Sequence, residues 1–180
     1  MNRYLIACVL ALGAGGLSAQ LPTTIEVPPG QLAPEDVDFL RTADTANIDQ
    51  LTFAMRMTGR SRTDARSLAE NVLKTHRDAD VALKMLAPRK HVDLDHAMSD
   101  RARIEADDLL RQDIDVDKLY VENLVRDGRD MIMLYETAMH TSRDPDIRQY
   151  ADTFLEKLRA NHRQADDLYR SKGWAPDDDE

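Results

Sequence analysis

The chain has 180 residues, of which 42% are apolar and only 5% aromatic, and it carries a formal charge of −9 at pH 7. That length can bury one sizeable core without requiring a second domain, and a composition with just seven glycines favours helix over sheet. An acidic surface repels phosphate backbones and anionic lipid, so nucleic acid is not expected as a partner.

Residues 1–19 form a separate object: Arg3, an apolar run from Tyr4 to Leu17, then the small residues Ser18 and Ala19. This is the layout of a secretory signal peptide cleaved near Ala19 or Gln20, and it places the protein in the periplasm or outside the cell. Retention as an N-terminal anchor is the alternative, although the run is shorter than the roughly 20 residues a bilayer span needs. The only cysteine, Cys8, lies inside the run. A mature chain would have no disulfide, thiol nucleophile or Cys-ligated metal, and its charge would move from −9 to −10. Residues 20–33 contain Pro22, Pro28, Pro29 and Gly30 without apolar periodicity and read as an extended linker.

Pro34-Glu35-Asp36 opens a first helix, since proline suits the first turn and carboxylates suit its dipole. Val37, Leu40, Ala43, Ile48, Leu51, Ala54 and Met55 supply its expected apolar stripe, which Gly59 ends. Thr63-Asp64 caps a second helix whose seam of Ala65, Ala69, Val72, His76, Ala79, Leu83 and Leu86 steps regularly by four and three. Pro88 to Ser99 is a connection. There His91, His96 and neighbouring acids could form a surface metal site, but exposed loop histidines are common. A short third helix starts at Ser99-Asp100 and ends near Arg111. The fourth carries Tyr120, Leu124, Met131, Leu134 and Ala138 on its stripe, with Gly128 among them. A stripe glycine costs about 1 kcal/mol against alanine and signals close packing or a replaced larger residue. Asp144-Pro145-Asp146 starts a fifth helix, running to about Lys172 and capped by Gly173, with Trp174 folding back. Residues 175–180 are an acidic tail.

The long helices are about 35–40 Å each at 1.5 Å per residue. Four amphipathic helices of matched length predict an all-α, antiparallel four-helix bundle over 34–174, with one extra short helix between its two hairpins. A repeat supports the hairpins. His76-Arg77-Asp78-Ala79-Asp80 and His162-Arg163-Gln164-Ala165-Asp166 both read H-R-x-A-D, and the same 86-residue offset pairs Ala65 with Ala151, Leu68 with Phe154 and Val72 with Leu158. His76 and His162 are thereby placed on related helices at similar depth.

Residues Leu32-Ala33-Pro34-Glu35-Asp36-Val37-Asp38-Phe39-Leu40, Ala69 with Thr75-His76, Asp117-Lys118-Leu119-Tyr120 with Asp127, and Leu155 to His162 together resemble an exported, ferritin-like bundle family catalogued as domain of unknown function 4142 and often labelled as membrane proteins. The resemblance implies a ferritin-like bundle over about residues 32–172. It also implies a polar centre formed by an acid near Gln50, an Asp-His pair on each of the second and fourth helices, and a histidine on the fifth. His76 and His162 match that pattern. Gln50, Thr75 and Gly128 depart from it, which makes the centre incomplete. The family has no established activity.

A di-iron bundle requires Glu-x-x-His pairs, and none occurs in the chain. What remains is His-x-x-x-Asp twice, and a four-residue step brings each imidazole beside its carboxylate. His76, Asp80, His162 and Asp166 are therefore the candidate metal ligands, for a divalent or transition ion in a mixed N/O site. The competing interpretation is a pair of seam histidines hydrogen-bonded across an Ala/Leu core. Met55, Met57, Met131, Met133 and Met139 could suggest soft copper ligation, but helical spacing makes most of them core filler. No catalytic residues or resident cofactor are expected. The expected role is non-catalytic binding or an envelope- or stress-related interaction; a metal-binding bundle using the His76 and His162 pairs is the alternative.

Overall fold

A computed structural model describes residues 32–61, 63–111 and 114–175. The elements are α1 (Pro34–Arg60), α2 (Asp64–Arg89), α3 (Asp100–Asp108), α4 (Val116–Thr141) and α5 (Pro145–Ser171). The export-like segment and most of the linker and of the acidic tail lie outside the described residues.

Local chemistry sets the helix ends. Thr63, Ser99, Asp115 and Asp144 each accept a backbone N–H from the first turn of the following helix, worth about 1 kcal/mol apiece. Proline occupies the first turn of α1 and α5. At the end of α5, Gly173 adopts φ +67°, so Trp174 N–H reaches back to Tyr169 C=O at 3.1 Å and its ring packs 6.3 Å from the Tyr169 ring. α2 extends to Arg89 with Pro88 inside its last turn, so the helix forgoes the N–H bond that position would otherwise make.

α1 pairs with α2, and α4 with α5; α2 then packs on α5 and α1 on α4. Lys90–Asp144 (2.6 Å) ties the two hairpins at one end of the bundle. Thr63 Oγ1, 2.6 Å from Asp117 Oδ2, ties them at the other. All four neighbouring pairs are antiparallel, as a ferritin-like bundle with one long crossover requires. The crossover climbs along α1 over its described residues 90–111. His96 N–H binds Asp44, Ser99 binds Asp49 through both its N–H and its hydroxyl, Asp107 meets Arg56, and Arg60 holds the carbonyl of Leu109.

The interior consists of two apolar clusters. One contains Phe39, Leu40, Leu83, Leu86, Tyr135, Ile147, Tyr150 and Phe154; the other contains Phe53, Met57, Leu68, Val72, Tyr120, Val121, Leu124 and Leu168. Between them runs a polar belt. Burial on α1 corrects the expected stripe: Ile48 and Leu51 are only half-buried and Met55 is 53% exposed, while Asp44, Asn47 and Gln50 are buried. Continuing the three-four step from Leu40 through Ala43 reaches Asn47, Gln50, Ala54 and Met57, so the seam keeps its geometry and becomes polar midway. On α4, Tyr135 rather than Leu134 fills the core position. Met57 and Met131 are core and Met139 packs beside it, whereas Met55 and Met133 point to solvent.

Candidate functional site

Gln50, His76, Asp127, Gly128, Asn161 and His162 converge on one small cavity, closed by Val72, Leu124, Met131 and Leu158. The cavity measures about 20 Å³, room for roughly one water. Each of the four long helices contributes to it. The positions marked by the family resemblance therefore meet in space, apart from Thr75, which is buried on α2 but does not line the cavity.

The two histidines meet different surroundings. His76 is 3% exposed, and its Nδ1 lies 2.9 Å from Asn47 Oδ1. Burial lowers its pKa to about 4, keeping the ring neutral at physiological pH. Asn47 in turn donates to Tyr150 Oη at 3.4 Å, and Tyr150 and Tyr135 hydroxyls are 3.1 Å apart. Burial drives both phenols up, Tyr150 to about 12, so the chain of groups from His76 to Tyr135 carries no charge. His162 is only half-buried, with Nε2 3.1 Å from the Val125 carbonyl. A Cβ added at Gly128 would lie 2.9 Å from His162 Cδ2, closer than real contacts allow. The missing side chain at 128 is what admits the His162 ring.

Asp127 is the centre's carboxylate, and two arginines already hold it. Arg101 and Arg126 each donate to Oδ1 at 2.9 Å, and Gln50 donates to Oδ2 at 3.4 Å. Arg126 also grips Glu105 through two contacts of 3.0 Å. Two buried polar atoms, Gln50 Oε1 and Asn161 Nδ2, have no hydrogen-bond partner, and both residues line the cavity.

The four residues of the H-R-x-A-D pairs do not gather. His76 turns to Asn47 and His162 to Val125, while Asp166 meets Arg170 at 2.8 Å near the surface. Asp80 faces the other way, beside Asp44 and His96. The i, i+4 spacing brings neither imidazole onto its own carboxylate, because packing across the bundle turned each ring toward a closer partner. Asn47, Asp44 and Arg101 were not singled out from the sequence. The strict seam period would have found Asn47, but nothing local to Asp44 or Arg101 points across the fold.

Fold and site together define a ferritin-like four-helix bundle whose polar centre is small and largely hydrogen-bonded. The chain belongs to the family described as Domain of unknown function (DUF4142), whose model matches residues 22–168. No curated protein matches it significantly. Among solved structures, the DUF305 fragment from Deinococcus radiodurans superposes with a TM-score of 0.67 at 17% identity, covering 77% of this chain and 97% of that one. A candidate spore coat protein from Bacillus halodurans C-125 gives 0.64 at 14% identity, covering 82% and 93%. At such identities the likeness concerns the fold. Among the described residues no helix is long and apolar enough to cross a membrane.

Proposed function

We propose that the protein is an exported helical bundle acting by non-catalytic binding or interaction in the cell envelope, with residues 20–33 as a spacer between the export segment and the folded part. The observation that carries the non-catalytic reading is the closed centre. A cavity for about one water, bordered by a neutral buried imidazole and by an aspartate already held by two arginines, leaves neither space for a substrate nor a free acid–base pair. The export reading draws its support from the charge and apolar pattern of residues 1–19. Fractionation of cells expressing a C-terminally tagged chain tests it. The expected product is periplasmic or secreted and lacks about 19 residues by mass; a full-length cytoplasmic product would overturn the proposal. Oxygen consumption or hydrolysis by the purified protein, lost on His76→Ala, would overturn its non-catalytic part.

A metal held by His76 and His162 is the second reading, favoured by the fact that both rings line one cavity. Asp80 and Asp166 would take no part, since each faces elsewhere. Stoichiometric metal in protein purified without chelator, lost in His76→Ala/His162→Ala, is the result that would establish it.

A further inference from the structure

Asp44 on α1, Asp80 on α2 and His96 in the crossover each offer one ligand atom, and those atoms lie within 4.8 Å of one another. Among the described residues this is the one such group of three or more histidine, cysteine or acidic side chains. Asp44 is 1% exposed and Asp80 8%. Two carboxylates buried side by side are costly without compensating charge.

The compensation present is partial. Lys84 Nζ, itself half in solvent, holds Asp80 Oδ2 at 2.8 Å. The His96 backbone N–H holds Asp44 Oδ2 at 2.8 Å. The second oxygen of each, Asp44 Oδ1 and Asp80 Oδ1, is buried with no hydrogen-bond partner. His96 Nδ1 stands 2.8 Å from Asp44 Oδ1, an ion-pair contact when the ring is protonated, which leaves Asp80 Oδ1 as the buried oxygen with nothing set against it. His96 also takes φ +48°, a left-handed conformation that non-glycine residues rarely adopt. An unfavourable backbone thus presents an imidazole to two buried carboxylates, one of which, Asp80, keeps an unpartnered oxygen. Their charge reaches Tyr150, whose pKa burial raises most and Asp80 and Asp44 raise further.

We propose that Asp44, Asp80 and His96 form a binding site for a divalent transition-metal ion of the zinc class. Two carboxylate oxygens and one imidazole nitrogen make a mixed O/N donor set of borderline softness, suited to zinc and unlike the all-oxygen shells of magnesium or calcium. Three protein ligands leave at least one position for water, on the side where His96 is 42% exposed. Zinc takes such ligands at about 2.0–2.2 Å, so the donor atoms draw together on binding. His96 provides most of that movement, since it lies outside the helices. An ion there joins the crossover to the α1–α2 hairpin.

This site is separate from the central cavity and does not depend on the function proposed above. Titration of the metal-free full chain with Zn²⁺, followed by calorimetry, is expected to give one ion per chain and a raised thermal midpoint. His96→Ala, at an exposed position, is expected to weaken Zn²⁺ binding by at least about a hundredfold with an unchanged helical spectrum. Asp44→Asn and Asp80→Asn act in the same direction, whereas His76→Ala/His162→Ala leaves the affinity unaltered. Mg²⁺ binds about a hundredfold more weakly than Zn²⁺. Three results would overturn the assignment: no stoichiometric Zn²⁺, wild-type affinity in His96→Ala, or binding lost in His76→Ala/His162→Ala instead.

Discussion

The two copies of H-R-x-A-D sit on helices of the same period, at matching depth, and have come to different ends. In α2 the histidine is buried, neutral and tied to Asn47, and the aspartate four residues on is buried beside Asp44 and His96. In α5 the histidine is half-buried over Gly128, and the aspartate meets a surface arginine. The apolar partners matched by the repeat stay equivalent: Leu68 with Phe154 and Val72 with Leu158 are all buried. The matched positions share a packing face, and the neighbouring helix determined what each polar residue does. α2 lies against the polar stretch of α1. α5 lies against α4, where a glycine leaves room for a ring and a carbonyl accepts a hydrogen bond from it.

Truncating each histidine should break this comparison most visibly. His76→Ala opens a cavity and leaves Asn47 short of a partner, at a cost of about 2–4 kcal/mol. His162→Ala removes a half-buried ring for about 1 kcal/mol. Urea unfolding of the two variants checks the asymmetry, and equal losses would contradict it.

Acid should act on the α2 copy in particular. Its folded pKa of about 4 lies below the 6.5 of an unconstrained histidine, so between those values the unfolded chain binds the extra proton. Stability is therefore complete above about pH 6.5 and falls toward pH 4, by up to about 3 kcal/mol. Asp36 and Asp49 have raised pKa values, chiefly from burial; each binds its proton more readily when folded and so opposes the loss at pH values just above 3.8. Urea midpoints across this window should move less in His76→Gln than in wild type. An identical pH dependence in the two proteins would remove His76 as the cause.

The smallest expected effect is also the sharpest test of the α5 copy. Gly128→Ala gains about 1 kcal/mol of helix propensity but forces the His162 ring aside, costing about 1–3 kcal/mol. The net loss is about 1 kcal/mol. In a His162→Ala background the clash is gone and the same substitution should stabilise. A destabilising effect in both backgrounds would mean that His162 is not what the glycine accommodates.

Much of the fold was legible because its determinants are local. Thr63, Ser99 and Gly173 mark helix ends by their own side chains or backbone freedom, and the 86-residue repeat identified the hairpins. On α1 the choice of Ile48, Leu51 and Met55 followed hydrophobicity where periodicity was the better guide, and it missed the turn of the seam into Asn47 and Gln50. Pairing each histidine with the aspartate one turn away failed for a related reason. Adjacency along a helix does not outweigh a better partner across the bundle.

By itself, then, the sequence determined that there would be helices, roughly where most of them stop, and the period on which they bury a face. These follow from spacings of a few residues and from cap chemistry. Only the tertiary structure decided which polar groups meet. His96 and Asp44 are 52 residues apart, and Gly128 and His162 are 34 apart. The first contact exists because the crossover climbs α1, and the second because a missing Cβ on α4 lets a ring on α5 approach. Such contacts depend on how whole elements pack, which no spacing within one element encodes.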